Sequence, residues 1–189
     1  MGQNQYVIVC TAKDRVGIVA DVASRISTLR GDIADLSQTV LRGYFTMILL
    51  ATFPGDVTAD LIKEQFRTIS ADGTPALESI VLPVGDNTSI DQPVSAENIY
   101  ILTASGNDRI GFVATVASFC AKNEINILDL ATRADAGQYI MVLQVDLSRC
   151  ASLTTIQREV KQFAQKHDMK LALQHNDIFQ AIHEINMPG

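Results

Sequence analysis

Apolar residues follow two spacings along the chain, and the same order of spacings occurs twice. Residues 6–11 and 99–103 are short runs rich in β-branched and aromatic side chains, which predicts strands. Apolar residues at helical spacing follow each run, for example Val22, Ile26 and Leu29 in the first half. Each half is therefore predicted to open with a strand and a helix.

Two more strands are predicted after each first helix, at 32–41 and 44–53 and again at 126–134 and 138–147. Polar and apolar residues alternate in the first of them, at 34–40, which is typical of a strand. A short turn that contains Gly43 or Gly137 joins each pair, and this predicts a hairpin.

A second helix and a last strand complete each half. Thr58 and Ser152 are the predicted N-caps of the second helices, because a hydroxyl there can accept from amides one turn inside. The last strands are predicted at 77–84 and 169–175. The order of elements is then βαββαβ in both halves.

The two halves also share residues at an offset of 94. Residues 14–24 read DRVGIVADVAS and residues 108–118 read DRIGFVATVAS, with 8 of 11 positions identical. Between 14–51 and 108–145 the match is 14 of 38 positions without a gap. A duplicated domain explains both the repeated pattern and the repeated residues.

The predicted fold class is α+β, with two tandem ferredoxin-like domains. Each has a four-stranded antiparallel sheet and two helices on one face of it. The first domain is predicted at 1–88, with a polar linker at about 85–97. The second is predicted at 98–189, and it ends in a helical tail at 177–189 that has no counterpart in the first half.

Charge argues against a nucleic acid as a direct partner. The net charge is −6, shared equally between the two halves, and no cluster of basic residues occurs. DNA-binding surfaces need such a cluster to neutralise phosphates. Direct DNA binding is therefore not expected.

Location and chemistry are predicted from further absences in the sequence. No secretory signal or membrane-length apolar segment is recognised, which predicts a cytoplasmic protein without a membrane association. The three cysteines match no zinc pattern. The spacing of the three histidines, His167, His175 and His183, gives no reason to expect them to meet at one site. We expect no metal, no cofactor and no catalytic group, and hence no enzyme.

The repeated Asp-Arg-x-Gly phrase lies between the first strand and the first helix of each half. Asp14 and Asp108 are placed to act as N-caps, with Gly17 and Gly111 in the first helical turn. One interpretation is purely structural: the aspartate caps the helix and the arginine is solvated.

A second interpretation of the phrase is a site for a free amino acid. Open amides at a helix N-terminus can bind a carboxylate, while the neighbouring aspartate can face an ammonium group. Arg15 or Arg109 could add a second contact to the anion. The approach in the second copy is two residues longer, which places Ser105 and Asn107 within reach.

These features together resemble the ACT domain family: a βαββαβ unit, an Asp-Arg-x-Gly turn, an apolar helix, and Asp-Ile or Asn-Ile opening the second strand. ACT domains are small regulatory modules that typically bind amino acids, so both predicted domains would be ACT-like. Two such domains in tandem without a catalytic domain are similar to the glycine cleavage system transcriptional repressor family.

The resemblance also implies where a ligand would bind, commonly at an interface between two ACT domains. The residues that match are those of the turn after the first strand and the residue that opens the second strand. The implied ligand-binding residues are Asp14, Arg15, Gly17, Ile18, Asp32, Asn107, Asp108, Arg109, Gly111, Phe112 and Asn126.

The two implied sites are not alike. Asn126 matches the amide often found at the start of the second strand, whereas Asp32 departs from it. A carboxylate there could hold an ammonium group but would repel a carboxylate. We therefore expect one working site or two unlike ones.

The predicted function is that of a non-catalytic regulator. It would bind a small amino acid, similar to glycine or serine, and modulate a protein partner such as a transcription factor. A homodimer is expected, because symmetric association is common. Two alternatives stay open: a ligand-independent interaction module and the detached regulatory subunit of a metabolic enzyme.

Overall fold

The computed structural model describes residues 2–69, 76–85, 94–135 and 137–185. The chain divides into two compact units, residues 1–90 and 91–189, which we call the first and the second domain. The predicted limits at 88 and 98 stay a prediction, because most of the linker at 85–97 lies outside the described residues. The last four residues of the predicted tail also lie outside them.

The first domain has the predicted order of elements. Its strands and helices are β1 (Gln3–Lys13), α1 (Ile18–Thr28), β2 (Asp32–Leu41), β3 (Tyr44–Pro54), α2 (Ala59–Arg67) and β4 (Glu78–Pro83).

The second domain repeats this order after a 3₁₀ turn at Ala96–Asn98. Its elements are β5 (Ile99–Asn107), α3 (Phe112–Lys122), β6 (Asn126–Asp135), β7 (Gln138–Asp146), α4 (Leu153–Lys166) and β8 (Lys170–His175), followed by α5 (Asn176–Ile185). The helix α5 overlaps the predicted tail and begins one residue before it.

Each domain contains one four-stranded sheet, in the order β2-β3-β1-β4 or β6-β7-β5-β8. All neighbouring strands are antiparallel. The predicted fold class, two tandem ferredoxin-like domains, is therefore confirmed.

One face of each sheet is covered by both helices of its domain. In the first domain, Ile8 and Met47 on the sheet share a core with Val22 of α1 and Phe66 of α2, and none of the four side chains is exposed. In the second domain, Leu143 of β7 lies in one core with residues of both α3 and α4. Burial of this apolar area is what holds the helices to the sheet.

The hairpin between β2 and β3 is confirmed, with Leu41 opposite Tyr44. Its two turn residues, Arg42 and Gly43, both have positive φ angles, of 50° and 78°. This is the left-handed backbone that a two-residue turn between twisted strands requires. Gly137 in the second hairpin has the same φ of 78°.

The first strands are longer than predicted. The strand β1 extends from Gln3 to Lys13 because its polar ends pair with β3, and β5 extends to Asn107 by pairing with β7. A neighbouring strand supplies backbone partners whatever the side chains are, so polar ends can be included. The last strands, β4 and β8, are shorter than predicted.

The described helices include none that is long and apolar enough to cross a bilayer.

Candidate functional site

The two Asp-Arg-x-Gly turns have nearly the same backbone. Gly17 is the N-cap of α1 with φ 89°, and Gly111 is the N-cap of α3 with φ 85°. The prediction that Asp14 and Asp108 are N-caps is wrong, because each helix begins after the glycine, four residues beyond the aspartate. Only glycine adopts this left-handed conformation without steric cost, so it sets the start of the helix.

Asp14 and Asp108 instead lie beside the tips of the hairpins. The Asp14 amide donates to the Gly43 carbonyl oxygen at 3.0 Å, and the Asp108 amide donates to that of Gly137 at 2.9 Å. Both aspartates are exposed. Their carboxylates are therefore available to a ligand at the helix start.

The first amides of α1 are open. Those of Ile18, Val19 and Ala20 have no acceptor in the described part of the chain, and the first helical bond runs from the Asp21 amide to the Gly17 carbonyl oxygen at 2.9 Å. Open amides of this kind attract an anion, because the helix N-terminus carries partial positive charge.

The second turn differs slightly at this point. The Phe112 amide donates to the Arg109 carbonyl oxygen at 3.3 Å, so its partner is internal. The amides of Val113 and Ala114 have no acceptor among the described residues. The second turn thus offers two open amides where the first offers three.

The two arginines of the turns make different contacts. Arg15 pairs with Asp21 at 2.5 Å and also donates to the Val16 carbonyl oxygen at 3.3 Å, so it folds over the first turn of its own helix. Arg109 reaches the end of α4, where its Nη2 donates to the His167 carbonyl oxygen at 3.1 Å.

Asn107 lies next to the second turn at the end of β5. Its Oδ1 accepts from Gln138 Nε2 at 3.1 Å, and both residues are exposed. The amide group of Asn107 is therefore held near Asp108. Lys13 and Asn107 are the equivalent last residues of β1 and β5, so the approach to the turn is not longer in the second copy, and a ligand contact of Asn107 stays a prediction.

The residues that open the second strands, Asp32 and Asn126, lie at the other end of the first helix. Each helix has 11 residues. At about 1.5 Å per residue its ends are about 16 Å apart. Within one domain, the structure therefore does not bring the turn together with Asp32 or Asn126.

Both strand openings line a cavity. Asp32 and Arg30 line one of about 480 Å³, and Asn126 lines one of about 350 Å³ with Glu124 and Arg149. Arg30 is also paired with Asp56 at 2.6 Å. The first cavity thus has a carboxylate where the second has a neutral amide.

Asp146 is a residue that the sequence analysis missed. It lies opposite Asn126 on β7, whereas Thr52 lies opposite Asp32 on β3. Each strand opening therefore has one carboxylate, on β2 in the first domain and on β7 in the second. Asp146 is 7% exposed and accepts from the amide and hydroxyl of Ser148, both at 2.8 Å.

Val16 and Ile110 were also missed, although both copies have an apolar residue at the x of Asp-Arg-x-Gly. Val16 is 100% exposed, and Ile110 is fully exposed as well. A single exposed aliphatic residue is ordinary. Here the same position is apolar and exposed in both copies, next to the open amides.

The described residues give little support for a metal site or for a reactive cysteine. They contain no group of three or more His, Cys, Asp or Glu that could hold a metal ion. Burial raises the pKa of the Cys10 thiol to about 12 and that of Cys120 to about 11. Thiols with raised pKa values are poor nucleophiles at neutral pH, because little thiolate is present.

Two comparisons identify related sequences. A model of the ACT domain matches residues 4–68 and 98–174. A UPF0237 protein of Neisseria meningitidis serogroup B is 35% identical over 92 residues, which are 47% of this chain and 99% of that protein. A UPF0237 protein of Clostridium perfringens is 27% identical over 86 residues, 45% of this chain and 97% of that protein. Each relative corresponds to about half of this chain.

Solved structures share the whole fold. A protein of unknown function from Galdieria sulphuraria superimposes with a TM-score of 0.70 at 20% identity, covering 92% of this chain and 98% of that one. A candidate glycine cleavage system transcriptional repressor gives a TM-score of 0.67 at 16% identity, with the same coverage.

Proposed function

The chain belongs to the ACT domain family, and on that basis we propose that it is a non-catalytic regulatory protein that binds a small amino acid and acts on a protein partner. ACT domains are regulatory modules that bind amino acids. The structural neighbour named as a candidate glycine cleavage repressor supports a ligand similar to glycine or serine. It also supports a transcription factor as the partner.

The observation that carries the proposal is the open helix start beside an exposed aspartate, present in both domains. The amides of Ile18, Val19 and Ala20 can donate to a ligand carboxylate, while Asp14 can accept from its ammonium group. In the second domain, Val113 and Ala114 with Asp108 have the same roles. A free amino acid carries both of the charges that this arrangement complements.

A complete site on this proposal uses two ACT domains. The turn and the strand opening are at opposite ends of one helix, so a single domain cannot present both to one ligand. The turn of one domain and Asp32 or Asn126 of another supply the two parts. We expect a homodimer, in which the other ACT domain comes from a second copy of the chain.

The two sites would differ in the residue that opens the second strand. Asp32 places a carboxylate at the strand opening of the first domain, and this favours the ammonium end of a ligand. Asn126 is neutral and can donate to a ligand carboxylate or accept from its ammonium group. We expect that only one of the two sites binds glycine or serine well.

The net charge of −6 supports regulation through a protein partner, because an acidic chain without a basic cluster has no means to neutralise DNA phosphates.

Isothermal titration of the full chain with glycine, serine and larger amino acids tests the proposal. Asp14→Asn and Asp108→Asn remove one exposed carboxylate each without changing side-chain size. The variant of the working site is expected to bind on the order of tenfold more weakly, because it loses a charged hydrogen bond. Asp60→Asn is the matched control, since Asp60 is also exposed and belongs to α2 instead of to either turn.

Two results would contradict the proposal. One is the absence of binding heat at millimolar concentration with any of the twenty amino acids. The other is equal weakening by Asp14→Asn, Asp108→Asn and the control, because that would reduce the effect to net charge. Light scattering measures the mass separately, and a monomer at all concentrations would remove the homodimer while leaving amino-acid binding intact.

A ligand-independent interaction module is the second candidate, and the exposed Val16 and Ile110 favour it. On that hypothesis the turns contact a protein directly. Affinity for a partner isolated with the full chain would then fall in Val16→Ser and Ile110→Ser, and added amino acids would not change it. An affinity that depends on glycine or serine supports the first proposal instead.

A further inference from the structure

A groove lies between α3 and α4 of the second domain and encloses a cavity of about 400 Å³. We call it the α3–α4 groove. Its floor and rim are formed by Phe119, Phe163, His167, Lys122, Lys166 and Glu159. A cavity of this size falls within the range of small-molecule sites.

Three aromatic rings run in a row along the groove. The ring centroids of Phe119 and Phe163 are 4.5 Å apart, and those of Phe163 and His167 are 4.4 Å apart. Phe119 is buried, whereas Phe163 and His167 are half-buried and can be reached from solvent. Because Phe163 lies between the other two rings, the end ring of the row, His167, is the one that offers a planar ligand a face on which to stack.

Two lysines stand at the rim without an ion-pair partner. Lys122 and Lys166 are exposed, and neither pairs with an acidic group in the described part of the chain. The nearby carbonyl oxygens of Phe119 and His167 already accept from Asn123 Nδ2 at 2.9 Å and from Arg109 at 3.1 Å. The lysines are therefore free to face an anion.

The first domain shows that the fold does not require these residues. At the offset of 94, Phe119 corresponds to Arg25, Lys122 to Thr28 and Phe163 to Ile69. Ile69 is 4% exposed and closes the core of the first domain without an aromatic ring. The aromatic row and the two lysines are thus additions of the second domain.

We propose that the α3–α4 groove binds a planar aromatic ligand that carries an anionic group, phosphate or carboxylate. The ring stacks on His167, which Phe163 supports from the other side, and the anion lies between Lys122 and Lys166. The single carboxylate at the rim, Glu159, leaves the groove with a positive balance inside an acidic chain. This inference does not depend on the amino-acid site.

The groove is also linked to the turn of the second domain. Arg109 belongs to the Asp-Arg-x-Gly turn, and its hydrogen bond ends on His167, a residue of the groove. A ligand that shifts the backbone at His167 would therefore act on the position of Arg109.

Titration of the full chain with phenyl phosphate, AMP and adenosine tests the proposal. We expect both anions to bind and adenosine, which lacks the charge, to bind more weakly. The double variant Lys122→Gln/Lys166→Gln should weaken AMP binding at least tenfold, about the effect of losing charged contacts. Lys161→Gln/Lys170→Gln is the matched control with the same change in net charge, and it should change the affinity by less than about twofold.

Phe163→Leu separates stacking from charge, because it keeps an apolar side chain of similar volume and removes the ring. It should weaken binding of all three probes. Circular dichroism checks that each variant is folded, and the lysine variants test the proposal even if Phe163→Leu unfolds.

Three results would overturn the proposal. They are the absence of binding by AMP and phenyl phosphate at millimolar concentration, equal loss in the two lysine pairs, and equal affinity for AMP and adenosine. If a peptide or protein, but no small anion, occupies the groove, the proposal is also wrong.

Discussion

The two domains begin their first helices with the same phrase, yet its arginine has a different task in each. Arg15 pairs with Asp21 on its own helix, while Arg109 holds the carbonyl oxygen at the end of α4. The residue that corresponds to Asp21 is Thr115, whose hydroxyl donates to the Gly111 carbonyl oxygen at 2.8 Å. The residue at this one helical position, Asp21 or Thr115, therefore goes with a different partner for the arginine of the turn.

The faces of the two sheets opposite the helices α1 to α4 differ as well. In the first domain a row across the sheet contains Val7, Leu50 and Leu82, and the next contains Val9, Ile48 and Ile80. The corresponding rows of the second domain are Ile101, Gln144 and Gln174, followed by Thr103, Val142 and Ala172.

The exposures in the first domain show that its outer face departs from the usual polar surface of a single-layer sheet. Ile80 is 57% exposed, Leu82 52% and Ile48 49%. An antiparallel sheet with one solvated face normally has polar residues there. Duplication has kept the cores alike and left the surfaces free to diverge, which indicates different tasks for the two domains.

The largest expected effect is a loss of stability on shortening one core side chain in each domain. Phe66 and Val160 correspond at the offset of 94, and both are buried. We expect Phe66→Ala to lower the free energy of unfolding of the first domain by about 3–5 kcal/mol and Val160→Ala that of the second by about 2 kcal/mol, because the phenyl ring leaves the larger cavity.

Hydrogen exchange of amides in β1 and β3, compared with β5 and β7, measures each domain separately. Leu61→Ala, on the exposed side of α2, is the control and should change stability by less than about 0.5 kcal/mol. Equal losses of unfolding free energy for Phe66→Ala and Val160→Ala would contradict this expectation, because cores packed in the same way should lose more from the larger side chain.

The next effect tests whether the two turns have the same backbone requirement. Gly17→Ala and Gly111→Ala should each cost about 1–2 kcal/mol, because alanine is strained at a positive φ. Gly2→Ala is the control, since Gly2 has open space around it and no positive φ. Urea denaturation measures all three, and a cost in only one turn would mean that the turns differ in backbone.

A reciprocal exchange tests the different tasks of the arginines. Asp21→Thr should lower stability by about 0.5–1 kcal/mol, a modest effect because the pair is partly exposed. Thr115→Asp should draw Arg109 towards the new carboxylate and away from His167. Urea denaturation at low and high salt measures the stability of both variants, since exposed ion pairs weaken with salt. An unaltered salt dependence in both variants would contradict the assigned pairing.

The smallest effect concerns the ends of the first helices. Arg30 and Glu124 both have positive φ angles, of 59° and 56°. Glu124→Gly should raise stability by up to about 1 kcal/mol, because glycine is unstrained there. Arg30→Gly should gain less, since it also loses the exposed pair with Asp56. Thermal denaturation compares the two variants. A larger gain in stability for Arg30→Gly would show that the ion pair between Arg30 and Asp56 does not stabilise the fold.

The candidate site was predicted only in part. The turn residues and the strand openings lie next to helix ends, and their function as a ligand site stays a prediction. What the pattern could not show is the distance of about 16 Å between them along one helix. Asp146 was missed because it lies in an apolar strand, where only the pairing with β6 shows that it faces Asn126.

The sequence by itself determined the fold, since hydrophobic spacing and the 94-residue repeat report locally on strands and helices and confirm each other. It also determined the second-helix caps, because Thr58 and Ser152 need only amides three residues away. Only the tertiary structure decided where the first helices begin, which partner each arginine takes and that the α3–α4 groove exists. These depend on backbone angles and on contacts between residues distant in sequence, and hydrophobic spacing records neither.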